Sequence, residues 1–299
     1  MTLKQLEAFY WAATCSNFSL AAQRLHLSIS SLSKRIAELE QSLDVLLFDR
    51  STHKASLTDA GHAMLRRAPQ LLQAAEDTRR AVSKDKRLAG RCSLGVGELS
   101  ALTWLPELSR YLRSELPLIQ LELQVDIGSI LHQQLLNGSM DCAVVAGRSP
   151  HPSIASHAIG QARFSWVAAP HLLPVTRAVD RSLLEEHPLV TLPRGAGTSS
   201  TLDDWLMEAD IGLTRQFTCN SWGVVAGLLV DGFGIGILPE GWARVFERRR
   251  QLQILSSATA LAPLSYEFHH RRNDDRSIIA SMKDAVRKTL DFSIAPKLL

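Results

Sequence analysis

The stretch FSLAAQRLHLSISSLSKRIAELE, residues 18–40, constrains the fold of this 299-residue chain more than any other. It contains two short helical patterns joined by a tight corner at His26-Leu27-Ser28. Apolar residues from Leu32 to Leu43 recur at helical spacing and predict one buried stripe on the second helix. Residues 2–15 predict a supporting helix, and Ser19 and Ser28 are predicted to cap the two that follow. Together these elements predict a helix-turn-helix.

The second helix begins with small or apolar residues where a solvent-exposed helix usually carries charge. In helix-turn-helix proteins this end enters the major groove of DNA. Ile29 can pack on a thymine methyl, and Lys34 and Arg35 can reach phosphates or guanine. An ordinary helical hairpin with a serine-rich start is the alternative. The predicted DNA contacts on this helix are Ser28, Ile29, Ser30, Ser31, Ser33, Lys34 and Arg35.

The charge distribution and a predicted wing both favour DNA as the ligand. Residues 1–91 carry a net charge of +5, whereas the remainder carries −2, so a polyanion would bind at the N-terminal end. Two short strands are predicted at 46–50 and 55–57, joined by a polar, basic tip. Such a wing can lie along the phosphate backbone or in the minor groove. Its predicted contacts are Arg50, Thr52, His53 and Lys54.

Thr58 is predicted to cap a long helix at 59–87, which carries small and apolar residues at the a and d positions of a heptad. Three to four heptads are enough for a dimer seam. The alternative is a helix that packs on its own domain. A dimer would present paired reading helices to the half-sites of an interrupted palindrome. The predicted seam consists of Leu65, Ala68, Leu72, Ala75 and Val82.

Beyond residue 91 the pattern changes to strands that alternate with helices, which predicts mainly parallel sheets. The alternation occurs twice, and two such units joined by crossovers predict a pair of lobes with a cleft between them. The predicted domains are 1–58 for DNA binding, 59–90 for the linker helix and 91–299 for the two lobes. Lobe I is predicted to comprise 91–161 and 267–299, and lobe II to comprise 162–266.

Ligands of open α/β sheets bind beyond the C-terminal ends of the strands, against helix N-termini. Four loops here combine backbone N–H groups with hydroxyls, which suits a small carboxylate or another anion. Glu98 favours instead an amine or a hydroxyl on the ligand, and Trp222 could stack on a ring. Simple helix capping is the alternative for each serine. The predicted effector contacts are Glu98, Leu99, Ser100, Ala101, Gly128, Ser129, Gly147, Thr198, Ser199, Asn220, Ser221 and Trp222.

Other patterns indicate neither a catalytic site nor a metal site. The four cysteines are scattered without CxxC spacing, and Cys219 is interpreted as a small packed residue, with a thiol sensor as the alternative. The histidines at 151, 157, 269 and 270 are predicted to lie at the surface. No catalytic residue and no cofactor besides a small-molecule effector is expected. Without a leader or an apolar run of about 18 residues, a cytoplasmic location is expected and no membrane partner.

The order of these elements resembles the LysR-type transcriptional regulators, and the matching stretches are LKQLEAFYWAA, FSLAAQRLHLS, LSKRIAELEQSLDVLLFDR, LTDAGHAML, NGSMDCAVVAG and GFGIGILPE. The resemblance implies an N-terminal all-α winged helix-turn-helix with a long linker helix. An α/β two-lobed domain similar to periplasmic solute-binding proteins would follow. It also implies a regulator of transcription that binds double-stranded DNA and a small-molecule effector, and that assembles as a dimer and as a tetramer. RNA polymerase is a further candidate partner.

One departure from the family pattern bears on DNA recognition. The family usually has Gln-Pro after the capping serine, and this chain has Ile29-Ser30. Because the usual glutamine reads a base, the target preference of this protein is expected to be unusual. Two other functions remain open from the sequence, a cytoplasmic small-molecule-binding module whose N-terminal helices serve only assembly, and a cleft enzyme.

Overall fold

A computed structural model describes residues 1–15, 17–49, 56–82, 88–173, 177–194, 196–212 and 216–296. Within the long helix, the side chains of residues 73, 76, 77 and 79–82 lie outside the description. In the described ranges the chain forms an N-terminal domain, a long helix and two α/β lobes. No helix of the described chain is both long enough and apolar enough to cross a bilayer.

The N-terminal domain is the predicted helix-turn-helix with a short antiparallel hairpin. Its core is formed by Phe9, Leu32, Ile36 and Leu39, whose side chains are fully buried, so the predicted stripe faces inwards. The corner between the second and third helices contains His26 at φ +51°. The elements are α1 (Leu3–Thr14), α2 (Phe18–Arg24), α3 (Ile29–Leu43), β1 (Phe48–Asp49), β2 (Ser56–Leu57) and α4 (Asp59–Val82).

Two predicted helix caps are present and one is wrong. Ser28 Oγ accepts the N–H of Ser31 at 3.1 Å, and Thr58 Oγ1 accepts the N–H of Gly61 at 3.0 Å. The second helix, however, begins at Phe18 and is capped by Asn17 instead of Ser19. Asparagine accepts the first free N–H groups as well as serine does, so the helix starts two residues earlier than predicted.

The long helix α4 packs on its own domain over its first half. Ala68 is fully buried, and Leu65 and Leu72 pack against the core of the helix-turn-helix. Ala75 is half-buried, and the side chain of Val82 lies outside the described residues. Three residues of the predicted dimer seam therefore have partners within the chain, which is the alternative that the sequence left open. The seam itself stays a prediction.

Lobe I contains a mixed sheet, which in the described ranges has the order β4-β3-β5-β12-β6. The strands β3, β4 and β5 are parallel, whereas β12 runs antiparallel to both β5 and β6. The elements are β3 (Ala89–Val96), α5 (Glu98–Leu102), α6 (Leu105–Glu115), β4 (Leu118–Val125), α7 (Gly128–Leu136), β5 (Cys142–Ala146), β6 (Ile154–Ala162), β12 (Leu264–Arg271) and α12 (Ser277–Thr289).

Lobe II repeats this plan, with the order β11-β7-β10-β8-β9 among its described strands. Three strands, β8, β9 and β10, are parallel, and β7 is antiparallel to its two neighbours. The elements are β7 (Phe164–Ala168), α8 (Arg181–Glu186), β8 (Leu189–Thr191), α9 (Gly197–Glu208), β9 (Gln216–Thr218), α10 (Trp222–Val230), β10 (Ile235–Pro239), α11 (Glu240–Arg248) and β11 (Gln253–Leu255).

The antiparallel strands follow from the way the chain crosses between the lobes. It leaves lobe I through β6, passes Arg163 and enters lobe II as β7, and it returns through β12. Because β12 pairs with β5 and β6 from Leu264 onwards, and Leu264 pairs with Ala162, residues 162 and 264–266 lie in lobe I and not in lobe II as predicted. The sheets are accordingly mixed, with parallel strands meeting at the edge that faces the cleft.

A buried carboxylate joins the third helix to the hairpin and gives a test of the N-terminal fold. Glu40 is 6% exposed, and its Oε1 accepts the N–H groups of Leu47 at 2.8 Å and Phe48 at 3.0 Å. Glu40→Ala should leave these donors unpaired at a cost of about 1–3 kcal/mol. Amide hydrogen exchange at Leu47 and Phe48 should become faster by about tenfold or more.

Glu40→Gln keeps an acceptor oxygen and should restore most of the protection. Glu38→Ala removes an exposed carboxylate from the same helix and serves as the matched control. Equal exchange in Glu40→Ala and in Glu38→Ala would contradict this role for Glu40.

Candidate DNA-reading surface and effector cleft

The start of α3 presents the residues predicted to touch DNA. Ser28, Ser30, Ser31 and Lys34 are exposed, and Ile29 is 51% exposed although it is apolar. The hydroxyl of Ser28 lies 2.9 Å from that of Ser30 and 2.8 Å from that of Ser31. This small hydroxyl cluster leaves room for close approach of a DNA backbone.

The other predicted DNA contacts divide into two groups. Ser33 and Arg35 are half-buried on α3. The predicted wing contacts, Arg50, Thr52, His53 and Lys54, lie outside the described residues, so they stay predictions.

The effector cleft is a cavity of about 640 Å³ between the two lobes, which is a usual size for a small-molecule site. Parallel strands of both sheets end at its wall, and the helices that follow them begin there. Nine of the twelve predicted contacts line it. Those nine are Glu98, Leu99, Gly128, Ser129, Gly147, Thr198, Asn220, Ser221 and Trp222.

Three predicted contacts lie outside this lining. Ser100 is fully buried, and its hydroxyl has no hydrogen-bond partner among the described residues. Ala101 and Ser199 are half-buried, and Ser199 Oγ donates to the carbonyl of Ala196 at 2.7 Å. Their places on α5 and α9 turn these side chains away from the cavity.

Glu98 of lobe I binds the start of α10 in lobe II. Its carboxylate accepts the hydroxyl of Ser221 at 3.0 Å and the N–H of Trp222 at 2.6 Å. A carboxylate is favourable at this position because a helix N-terminus carries unpaired N–H groups and partial positive charge. Glu98 therefore acts as an internal anion that joins the lobes across the cleft.

Besides the short α5, whose N-cap is Gly97, two longer helices begin at the cleft without a side-chain cap. The N-cap residues are Ile127 for α7 and Ala196 for α9, and neither supplies a side-chain acceptor. Thr198, in the first turn of α9, is 3% exposed and lines the cavity, and its hydroxyl has no hydrogen-bond partner within the described chain. One helix from each lobe thus directs uncapped N–H groups at the same space.

Side chains from the middle of α7 and from β12 complete the cleft. The sequence patterns did not predict them. His132 Nε2 lies 3.0 Å from the hydroxyl of Ser149, and its ring centroid lies 6.4 Å from that of His269. Tyr266 and Asp126 also line the cavity. A strand of alternating residues gives no sign of what it faces, so Tyr266 and His269 carried no sequence signal.

The prediction that His269 lies at the surface is wrong. It is 2% exposed, because β12 is an interior strand with β5 on one side and β6 on the other. Burial lowers the pKa of His269 to about 4, and the neighbouring His132 adds to this effect. Burial also lowers the pKa of His132. Both rings are therefore neutral at neutral pH and act as hydrogen-bonding groups.

Two further sequence expectations concern metal and cysteine chemistry. Within the described residues, no three His, Cys, Asp or Glu side chains converge as a metal site requires. Cys219 is half-buried and packs against the core of the lobes. Outside the cleft, His157 and His270 form a stacked cross-strand pair with Nε2 atoms 3.2 Å apart.

His269 should make the folded chain less stable as the pH falls. Its pKa is lowered to about 4 in the folded chain, so the unfolded chain takes up the proton first. The stability that this group contributes is present above about pH 6.5 and is lost as the pH falls towards 4. By about pH 5 the loss reaches about 2 kcal/mol. Urea unfolding at about pH 7.5 and pH 5 should show a smaller loss for His269→Gln. An equal loss in both proteins would contradict the assignment.

Comparisons with known proteins cover both parts of the chain. Residues 3–62 match the family of bacterial regulatory helix-turn-helix proteins of the lysR type. Residues 85–291 match the LysR substrate binding domain. The two matches together reach from the first helix to the last.

Individual relatives give the same result. A probable RuBisCO transcriptional regulator of Phaeodactylum tricornutum is 38% identical over 151 residues, which is 50% of this chain and 49% of the relative. The transcriptional regulator YybE of Bacillus subtilis, whose function is uncharacterised, is 27% identical over 80% of this chain and 83% of its own. This chain thus spans about half the length of the first relative and most of the second.

Among solved structures, full-length LysG of Corynebacterium glutamicum with the bound effector Arg has a similar fold. Its TM-score is 0.63 at 20% identity, over 97% of this chain and 98% of LysG. At this identity the likeness concerns the fold alone. A helix-turn-helix match over residues 3–62 and a substrate-binding-domain match over residues 85–291 place this chain in the LysR family of transcriptional regulators.

Proposed function

We propose that this LysR-family chain binds an interrupted palindromic DNA site through α3 and adjusts that binding to a small anionic effector held between its lobes. The observation that carries the DNA part is the start of α3, where hydroxyls, an exposed Ile29 and Lys34 stand opposite a fully buried stripe. An exposed apolar side chain among small hydroxyls suits a base edge with a methyl group. The paired half-sites require a homodimer, which is part of the proposal.

The effector part is supported by the two uncapped helices that begin in the cleft. A carboxylate placed between α7 and α9 would accept N–H groups from both lobes and the hydroxyl of Thr198. The N-terminus of α10 already holds Glu98, so the anion is proposed at the other two helices. The neutral rings of His132 and His269 supply further hydrogen-bonding positions. The effector is accordingly proposed to be a small organic acid.

The DNA part predicts a change in salt dependence when one charge is removed. Lys34→Ala should weaken binding and reduce the slope of log K against log salt by about 0.9, because each neutralised phosphate releases one counterion. Arg287→Ala removes an exposed positive charge from α12 in lobe I and should leave the slope unchanged. Fluorescence anisotropy with one DNA duplex that the unaltered chain binds gives both slopes. Equal slopes for Lys34→Ala and the unaltered chain would remove Lys34 from the interface.

The effector part predicts which hydroxyl matters. A thermal-shift screen of small organic acids should find a ligand, since binding at 100 times Kd adds about 2.7 kcal/mol of stability. With that acid, Thr198→Val should cost about 0.5–3 kcal/mol of affinity, as expected for the loss of one partner of a buried hydrogen bond.

Ser199→Ala is the matched control, because Ser199 is the next residue on α9 but lies outside the cleft lining. Titration calorimetry should show full affinity for this control. Full affinity for Thr198→Val as well would show that the acid binds elsewhere.

A further inference from the structure

The helix-turn-helix domain contacts lobe I of the same chain directly, apart from the linker. Arg24, at the end of α2, donates from Nη1 to the carbonyl of Gly138 at 3.0 Å and pairs through Nη2 with Asp141. Cys15, just after α1, directs its thiol at the same carbonyl, with 3.8 Å between Sγ and O. These contacts join residues more than 110 positions apart in the sequence.

Asp141 is the centre of this contact. It is 2% exposed, and its Oδ2 accepts the N–H of Ser93 at 2.8 Å and the hydroxyl of Ser93 at 2.9 Å. Arg276 pairs with the other oxygen and also with Asp274, at 2.7 Å from Nε. Burial would raise the pKa of Asp141, but Arg276, Arg24 and the Ser93 N–H outweigh it and hold that pKa well below its usual value. The carboxylate is thus ionised and accepts from both domains.

Trp11 of α1 covers the arginines of the contact. The Cζ atom of Arg24 lies 3.9 Å from its ring centroid, and those of Arg276 and Arg271 lie 5.3 and 5.7 Å away. Trp11 is 6% exposed. Cation–π attraction to one ring therefore adds to the ion pairs.

The two domains approach most closely at Gly138, which has φ +80°. A Cβ atom there would lie 3.0 Å from the carbonyl oxygen of Thr14 and 3.3 Å from Cα of Cys15. Beside this close approach a groove of about 770 Å³ runs between the domains. A contact built on ion pairs and flanked by a groove is of the kind expected between domains that can open.

Two rigid elements connect this contact with the effector cleft. The helix α7 begins in the cleft at Gly128 and ends beside Gly138, about 13 Å away at 1.5 Å per residue. The strand β12 carries His269 in the cleft and Arg271 two residues later on the same face. Arg271 Nη1 donates to the carbonyls of Met140 at 2.8 Å and Leu135 at 3.3 Å, so it ties the end of α7 to the strand.

We propose that the face of lobe I around Gly138 and Asp141 is a docking surface for the helix-turn-helix domain, and that α7 and β12 make docking depend on the state of the cleft. This inference rests on the proposed function, since it connects the proposed effector site with the helix-turn-helix domain, the proposed DNA reader. A shift or tilt of α7 caused by a ligand at its N-terminus displaces the carbonyl that Arg24 binds. The docked and undocked arrangements then differ in how the reading helix is held.

The docking is tested by hydrogen exchange on the full chain, without DNA and without effector. Arg24→Gln on one domain and Asp141→Asn on the other should each speed exchange in residues 137–143 and at the end of α1 by at least about tenfold. Arg244→Ala removes one partner of an exposed ion pair with Glu240 in lobe II and should leave these segments unchanged. If Asp141→Asn does not fold, hydrogen exchange in Arg24→Gln alone tests the docking. Unchanged exchange in Arg24→Gln overturns the docking.

The connection to the cleft has its own test in the same assay. Ser129→Trp fills the cleft at the start of α7 and should change exchange in residues 137–143 by at least about threefold. Ser200→Trp places the same side chain at an exposed position of α9 outside the cavity and should not. No change in Ser129→Trp overturns the connection through α7, even where docking itself is found.

A DNA measurement separates this inference from the proposed function. Asp141 lies on lobe I and is not among the proposed DNA contacts, so a change of duplex affinity in folded Asp141→Asn reports on how the helix-turn-helix domain is held. We expect a change of at least about threefold, and none for Arg244→Ala. Unchanged affinity in Asp141→Asn overturns the regulatory role of the contact. A chain that binds no duplex at all refutes the proposed function. The exchange experiments still show whether the helix-turn-helix domain docks on lobe I.

Discussion

The ionised carboxylate of Asp141 holds three parts of the molecule in register. It accepts hydrogen bonds from Ser93 on β3, pairs with Arg276 ahead of α12, and pairs with Arg24 of the helix-turn-helix domain. A buried charge is costly unless it is paired and hydrogen-bonded, and each of its partners lies on a different element. Removing one partner therefore weakens the placement of the others, which makes Asp141 a structural centre for both lobe I and the reader.

The cleft holds the carboxylate of Glu98 in a similar way. Glu98 occupies the N-terminus of α10 and so provides, from within the chain, the negative charge that helix ends favour. At the N-termini of α7 and α9, no N-cap side chain accepts a backbone N–H group. A ligand with a carboxylate would do for these two helices what Glu98 does for the third, and it would add a second link between the lobes. Under this proposal the affinity for such a ligand depends on lobe closure.

The sequence predicted those features that arise from local patterns. The buried stripe of α3, the caps at Ser28 and Thr58, and the loops at strand ends follow from spacing and residue type, and nine predicted contacts meet in one cavity. Features made by distant residues were not predictable in this way. The pairing of Arg24 with Asp141 spans 117 positions, and the burial of His269 depends on which strands lie beside β12. The apolar face of α4 was ambiguous because packing within the domain and packing between chains require the same residues.

Contacts between distant residues also change the interpretation of the net charge of the N-terminal region. Its excess of positive charge favours DNA, but two of the arginines that contribute to it are paired elsewhere. Arg24 binds Asp141, and Arg91 pairs with Glu122 on the neighbouring strand. The charge available for phosphates in this arrangement is therefore smaller than the sequence suggests. While Arg24 is paired with Asp141, the net charge of the N-terminal region overstates the positive charge that the docked helix-turn-helix domain presents to DNA.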